Sequence, residues 1–180
     1  MMFTKHIMMV LTVTSLALSS PLARRSTGET VIGDLSNVSR DFSAIENAMQ
    51  LFNGSSASAA HVPVAVTSLE GHLQATANNT AHSPMFSPSE SVTITNAWDE
   101  LKSAYSDSLE GAIRKKAQFQ KLGMANAMVN NFNVVRADTN KVSNELKKKV
   151  GLLDIPVITL ATSQMDGALQ AAIEAYASKN

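Results

Sequence analysis

The sequence predicts an all-α protein, an antiparallel bundle of about five amphipathic helices. Apolar residues recur at steps of three and four along most of the 180-residue chain, as they do on one face of an α-helix. Glycine or proline stands at the predicted breaks between these segments, and no strand pattern accompanies them. Amphipathic helices without strands bury their apolar faces against one another. Cysteine is absent, so packing rather than disulfide bonds must stabilise the bundle.

The first predicted helix carries a continuous apolar stripe and ends at the turn Asn53-Gly54. Asp34 can cap its start, because an Asp side chain accepts hydrogen bonds from the free N–H groups of a first turn. Residues 55–60 are small and are predicted to form a loop. The stripe consists of Leu35, Val38, Phe42, Ile45, Met49 and Phe52.

A second helix is predicted from about Pro63 to Thr80. Gly71 weakens it, since glycine inside a helix costs about 1 kcal/mol. Residues 82–89 contain two prolines and form a connector that cannot continue the helix. The apolar face of this helix consists of Val66, Leu69 and Leu73.

Three further helices follow the connector. Basic runs at residues 114–116 and 147–149 lie near the ends of the third and fourth helices, where the helix dipole favours cations. Gly123 separates these two helices, and Asp154 as cap with Pro156 in the first turn opens the fifth. Their apolar residues are Ile94, Trp98, Leu101, Tyr105, Leu109 and Ile113, then Met128, Phe132, Val135, Val142, Leu146 and Val150, then Ile158, Met165, Leu169, Ile173 and Tyr176.

Residues 1–25 are predicted to be a secretory signal peptide followed by a dibasic processing segment. A short basic start precedes an apolar run at residues 7–18, which is too short to span a bilayer comfortably. Arg24-Arg25 would suit a kexin-type protease. Residues 26–180 are then a single helical-bundle domain, secreted and without a transmembrane anchor.

The charge of the secreted part excludes one class of partner. Residues 1–25 hold Lys5, Arg24 and Arg25 and no acidic residue, so 12 basic residues remain against 15 acidic ones, a net charge near −3. Such a chain lacks the basic surface that binds nucleic acid or an anionic membrane.

Three sequons for N-glycosylation fit an extracellular location. They begin at Asn37, Asn53 and Asn78, of which Asn53 is best placed because it lies in a turn.

No motif for catalysis, metal binding or phosphate binding occurs in the sequence. Thiol chemistry is excluded, and HExxH, GxSxG and glycine-rich phosphate loops are absent. The histidines after the signal, His61, His72 and His82, are expected to be exposed and unliganded. The Asp and Glu side chains are expected to lie solvated on polar helix faces. We therefore expect no enzyme, no cofactor and no metal.

Short segments spread over residues 30–177 carry a resemblance to a known family. They are VIGDLSNV at 31–38, FSAI at 42–45, FNG at 52–54, KKAQF at 115–119, the helix 135–146 with its Asp138-Thr139 step, MDGA at 165–168 and AIEAY at 172–176. With the signal and the dibasic pair, they resemble the fungal hydrophobic surface-binding protein A family, which includes the antigenic cell wall galactomannoproteins. The resemblance implies a secreted or wall-associated fungal mannoprotein without enzymatic activity. It also implies adsorption to hydrophobic surfaces, recruitment of hydrolases there, and fatty-acid binding inside the bundle.

Two functional hypotheses follow, and a blander third stays open. In the first, the bundle carries a fatty acid or another apolar ligand in a pocket. In the second, the protein is a surface-adsorbing or structural wall component that coats hydrophobic surfaces and recruits secreted hydrolases, loosely associated with wall polysaccharide because it lacks a Ser/Thr-rich tail and a lipid-anchor signal. In the third, the core is filled and glycans form the functional surface. Ala168 and Ala172 are expected on the inward face of the fifth helix, where Phe would fill a cavity. The candidate pocket residues are Phe42, Ile45, Met49, Leu69, Leu73, Leu101, Tyr105, Met128, Phe132, Met165 and Leu169.

Overall fold

The structure, a computed structural model, describes residues 27–178, and the predicted signal peptide and dibasic pair lie outside them. The described chain is helical and contains no strand, which confirms the predicted all-α class. None of its helices combines the length and the apolar character needed to cross a membrane. The helices are α1 (Gly28–Leu51), α2 (Ser56–Ala59), α3 (His61–His82), α4 (Pro88–Arg114), α5 (Lys116–Lys121), α6 (Ala125–Lys147) and α7 (Ile155–Ala177).

The five long helices close into a ring in the order α1, α3, α6, α7, α4. Long helices that follow one another in the chain run in opposite directions, as predicted. Because a closed ring of five members cannot alternate throughout, some neighbours must run parallel. Between α4 and α7, Trp98 bonds Thr162 and Tyr176 bonds Ala112, so residue numbers rise together along both helices. The pairs α1 with α4 and α3 with α6 show the same parallel progression.

The direction of the helices defines two ends of the ring. At the upper end α1, α4 and α7 begin, while α3 and α6 finish there. Ser91 near the start of α4 donates a hydrogen bond to Asp154 just before α7, and Glu90 lies against Gly28 at the start of α1. At the lower end α1, α4 and α7 finish.

Two of the sequence-based boundaries were wrong, each for a local reason. Helix α1 begins at Gly28, well before Asp34, because the Thr27 side chain accepts a hydrogen bond from the N–H of Thr30 at 3.3 Å. The Asp34 carboxylate instead accepts from the side-chain amide of Asn79 at 2.7 Å and joins α1 to α3. The predicted loop at residues 55–60 contains the short helix α2, which the Ser55 hydroxyl caps.

The later helix starts agree with the sequence pattern, with a difference at α7. Helix α4 begins at Pro88, where Ser87 and Glu90 form a capping box. Pro156 lies in the first turn of α7, as predicted, and Asp154 stands at the cap position. The Asp154 side chain does not cap the helix, because its carboxylate accepts from Ser91 of α4.

The core consists of the predicted apolar stripes, with a shift near the ends of α4 and α7. Every residue predicted for the stripe of α1 is buried. Ile113 and Ile173 are only partly buried, and the neighbouring Ala112 and Ala172 occupy the inward positions. A period of 3.6 residues rotates a strict three-and-four pattern slowly around the helix, which explains the displacement by one residue.

Candidate functional site

A small apolar cavity lies inside the ring, and all five long helices contribute to its wall. Its volume is about 30 Å³, and its surface is almost entirely hydrocarbon. Because the wall comes from helices that are distant in the chain, the ring closure itself creates the cavity. Eight residues predicted for the pocket line it: Phe42, Ile45, Met49, Leu69, Tyr105, Met128, Phe132 and Leu169.

Three other predicted pocket residues, Leu73, Leu101 and Met165, are buried but do not line the cavity. Each is four residues, about one helical turn or 6 Å, from a lining residue. In all three cases the displacement is toward the upper end of the ring. The cavity therefore occupies the lower half of the core, a level that periodicity cannot predict. Ala172 is fully buried and Ala168 partly buried, and neither belongs to the wall.

The wall includes six residues that were not predicted for the pocket. Three of them belong to the apolar stripes, so the sequence did contain a signal for their burial. The others are small or polar and carry no such signal. The six are Val66, Leu109 and Val135, then Ser108, Ala112 and Asn131.

The cavity as it stands is much smaller than a lipid site. Binding pockets for small molecules measure about 300–1,000 Å³, whereas this cavity of about 30 Å³ holds little more than a water molecule. The core is thus mostly packed. It lies between the two alternatives of the sequence analysis, a core that lines a ligand pocket and a core that is completely filled. Met49 and Met128 stand in the wall, and unbranched methionine side chains rearrange around irregular ligands more easily than branched ones.

The hydroxyl groups in the wall are already hydrogen-bonded. The Tyr105 hydroxyl lies 2.9 Å from Oγ1 of Thr139, and burial raises the pKa of Tyr105 well above its usual range. The Ser108 hydroxyl lies 2.8 Å from the carbonyl oxygen of Ala104 and 3.0 Å from that of Phe42. These groups hold the helices together, and none of the described residues that line the cavity carries a charge.

A buried carboxylate on α1 corrects one expectation from the sequence. Asp41 is 7% exposed, whereas acidic residues were expected on solvated faces. Its oxygens accept from the hydroxyl of Ser68 at 2.8 Å and from Nδ1 of His72 at 2.5 Å, which ties α1 to α3. His72 is therefore hydrogen-bonded rather than unliganded. No hydrogen bond joins Ser68 to His72 in the described chain, so the three do not form a nucleophile and its base.

No cluster of His, Asp or Glu suited to a metal ion occurs within residues 27–178.

The three sequons differ in their surroundings. Asn53 is exposed in its turn, where its side-chain oxygen accepts from the N–H of Ser55 at 3.0 Å. Asn78 is exposed on α3, whereas Asn37 is half-buried and accepts from Arg40. Glycosylation of the three stays a prediction.

The upper end of the ring displays apolar side chains to solvent. Leu152 and Leu153, in the turn between α6 and α7, are 85% and 92% exposed. The turn is held firmly, since Gly151 N–H donates to the Ser91 hydroxyl at 2.7 Å and Phe86 N–H donates to the Lys149 carbonyl at 2.9 Å. Other exposed apolar residues on the elements that meet at this end are Met85, Val92, Val157 and Leu160.

Residues 28–148 match the family model described as hydrophobic surface binding protein A. AfMP4p in complex with palmitic acid shares the fold with a TM-score of 0.82 at 23% identity, over 83% of this chain and 99% of that one. Ligand binding domain 1 of the Penicillium marneffei MP1 protein, complexed with arachidonic acids, gives 0.78 at 16% identity, over 84% and 99%. Domain 2 of that protein, complexed with multiple arachidonic acids, gives 0.72 at 16% identity, over 84% and 94%. No curated protein sequence matches the chain significantly.

Proposed function

The chain belongs to the hydrophobic surface binding protein A family, and we propose from this premise that it binds long-chain fatty acids or similar apolar ligands inside the bundle. The observation that carries the proposal is the apolar cavity whose wall is formed by all five long helices. The complexes of AfMP4p with palmitic acid and of the MP1 domains with arachidonic acids support it, since these proteins share the fold.

The energetics of acyl-chain burial are compatible with this function. Each buried methylene contributes about 0.8 kcal/mol, whereas association costs about 4–15 kcal/mol in lost freedom. Burial of about sixteen carbons contributes about 13 kcal/mol, so micromolar affinity, which needs about 8 kcal/mol, requires that association and widening of the cavity together cost about 5 kcal/mol or less. Widening is required, because the cavity of about 30 Å³ cannot hold such a chain.

The proposal includes a place and a role for the protein. We propose that it is secreted, glycosylated as a mannoprotein and loosely associated with the fungal cell wall, without catalytic activity of its own. The apolar run at residues 7–18 and the dibasic Arg24-Arg25 support secretion. N-terminal sequencing of the protein from culture filtrate should give a start between Ser20 and Ser26, and a chain that begins at Met1 would contradict this part.

The binding function is tested on the secreted protein in two steps. Lipids extracted with organic solvent and identified by mass spectrometry would show which apolar molecules copurify. Calorimetry of the delipidated protein with palmitic acid should then give heat and a rise in the melting temperature. The fatty acids tested have about 16–20 carbons, which is long enough to extend along much of one helix. If they give no heat and no thermal shift, the proposal is wrong.

The exposed upper end favours a second function, adsorption to hydrophobic surfaces. Leu152 and Leu153 project from a well-anchored turn, and exposed apolar patches commonly mark interaction sites. A protein that coats a surface through this end would keep its bundle folded, and hydrolases or wall polysaccharide could then gather on the remaining surface. Adsorption of the purified protein to a hydrophobic polymer tests this function, and retention no greater than that of an unrelated soluble protein would dismiss it.

A further inference from the structure

A groove on the outer side of the contact between α1 and α4 lies next to the internal cavity. Its volume is about 280 Å³, and Met49 is the residue that its wall shares with the wall of the cavity. Met49 is only 3% exposed and packs against Gly111. A Cβ atom at Gly111 would lie 3.4 Å from the Met49 Cβ, at the edge of ordinary van der Waals contact, so α1 and α4 lie close together here. The flexible Met49 side chain thus borders both the groove and the cavity.

The groove carries two cations and one carboxylate. The ammonium of Lys115 donates to the neutral carbonyl of Phe52 at 2.8 Å, and no acid among residues 27–178 lies within ion-pair distance of it. Arg114 faces Glu110 at 3.4 Å, and both side chains are about two-thirds exposed, 68% and 67%. Such an exposed pair contributes little and is easily exchanged for another anion.

The acid in the groove does not neutralise both cations. Glu46 accepts a hydrogen bond from the side-chain amide of Gln50 at 3.0 Å, and no ion pair joins it to Arg114 or Lys115 in the described chain. Counting Glu110, which pairs with Arg114, two acids stand against two cations, and Lys115 is the cation that no acid in the described chain contacts. The remaining wall of the groove is formed by Met49, Gln50 and Gly111.

An anionic ligand has few other places for its charge. A carboxylate taken into the cavity without partners would lose its hydration at high cost. The hydroxyls of Tyr105 and Ser108 are already bonded to other helices. Among the described residues of the wall, the remaining polar one is the half-buried Asn131, and its amide is neutral.

We propose, on the basis of the lipid-binding function proposed above, that this groove is the headgroup site for an anionic amphiphile. The carboxylate of a long-chain acid bonds to Arg114, and the nearby charge of Lys115 strengthens that bond. The acyl chain passes the position of Met49, whose side chain swings aside, and enters the cavity. The ligand class is therefore a single-chain carboxylate rather than a neutral lipid.

The headgroup site is tested with Arg114→Gln and the matched control Arg40→Gln, an exposed arginine on α1 outside the groove. Each delipidated protein is titrated by calorimetry with palmitic acid and with 1-hexadecanol. Arg114→Gln should weaken palmitate roughly fivefold, about the contribution of one exposed charge-assisted hydrogen bond, and leave 1-hexadecanol unchanged. Arg40→Gln should change neither.

Several outcomes would overturn the site. An unchanged palmitate affinity in Arg114→Gln, or an equal loss for both ligands, would show that the guanidinium does not hold the carboxylate. A larger loss of palmitate binding in Asn131→Leu than in Arg114→Gln would move the headgroup to the α6 side of the cavity. If the parent protein binds neither ligand, the lipid-binding function itself fails, which is a distinct result.

The passage beside Met49 has its own test. In Gly111→Ala, the added methyl group would contact Met49 and restrict its movement. The association rates of both palmitate and 1-hexadecanol should fall, while the melting temperature stays equal or rises because alanine favours the helix. Unchanged association rates with a properly folded variant would overturn the passage.

Discussion

The indole Nε1 of Trp98 donates a hydrogen bond to Oγ1 of Thr162 at 3.1 Å in the core. The same threonine oxygen lies 2.8 Å from the hydroxyl oxygen of Ser143. One buried polar cluster thus joins α4, α6 and α7. Because buried polar groups cost free energy when they lose their partners, the cluster favours one alignment of the three helices over alternatives that differ by a turn.

We expect Thr162→Val to lower the free energy of unfolding by about 1–3 kcal/mol, because the Trp98 N–H is left buried without an acceptor. Urea unfolding of the variant and of the control Thr159→Val, an exposed threonine on the same helix, measures the difference. The double variant Trp98→Phe/Thr162→Val should lose less than the sum of the two single changes. Strict additivity would show that the two residues are not coupled.

A second prediction concerns the cavity. Val135 lines it, whereas Val142 on the same helix is fully buried outside it. Val135→Ile should keep or raise the stability by up to about 0.8 kcal/mol, the contribution of one buried methylene, and weaken palmitate up to roughly fourfold. Val142→Ile should overpack the core and cost about 1–3 kcal/mol. If Val135→Ile and Val142→Ile lower the free energy of unfolding equally in denaturant unfolding, no usable space surrounds Val135.

A third prediction separates surface adsorption from ligand binding. Replacing Leu152 and Leu153 together by Ser should reduce adsorption to a hydrophobic polymer severalfold, because two exposed apolar side chains are removed. Fatty-acid binding and the melting temperature should not change. The matched control replaces Leu51 and Val64, each 71% exposed near the opposite end of the ring. An equal loss of adsorption in both double variants would mean that adsorption is not specific to the upper end.

The fourth prediction concerns pH. The guanidinium of Arg136 donates to both oxygens of Asp166, at 2.5 and 2.7 Å, and these hydrogen bonds lower the pKa of that carboxyl. A lowered pKa in the folded state contributes stability above the unfolded value near 3.9, and this contribution disappears as the pH falls through the folded value. Asp166→Asn should therefore be less stable than the parent at pH 7.

The difference between parent and Asp166→Asn should narrow below about pH 3.9, where the unfolded carboxyl becomes protonated. Denaturant unfolding at a series of pH values measures it. Asp107→Asn, an exposed acid on α4, serves as the control. A constant difference between parent and variant from pH 7 to the acid limit would show that the ion pair contributes no pH-dependent stability.

The helices could be predicted from the sequence because burial follows a local period. The stripe from Leu35 to Phe52 is an example, since each of its residues is buried. The position of the cavity along the bundle axis could not be predicted, because it depends on which turns of non-consecutive helices face one another. Leu69 lines the cavity and Leu73 does not, although both belong to the same stripe and both are buried.

Polar residues were harder to place than apolar ones. Asp34 and Asp154 have the sequence context of helix caps, yet each bonds a residue on another helix. Asp41 has no local feature that distinguishes it from a solvated acid, and only its partners on α3 explain its burial. From the sequence, the helix dipole is a sufficient explanation for the cations Arg114 and Lys115. The groove beside Met49 could not be predicted, because it exists only once α1 lies parallel to α4.

The parallel neighbours in the ring have a consequence for how the chain folds. Helical proteins usually fold fast because most of their contacts are local in sequence. Here α1 packs on α4 and α4 on α7, and hydrogen bonds that join these pairs span 64 or more residues. Such non-local contacts raise the contact order. Folding is slower as a result, because loop-closure entropy must be lost before these contacts form. The last helix completes the ring, so a nascent chain that lacks α7 leaves the apolar faces of α4 and α6 uncovered.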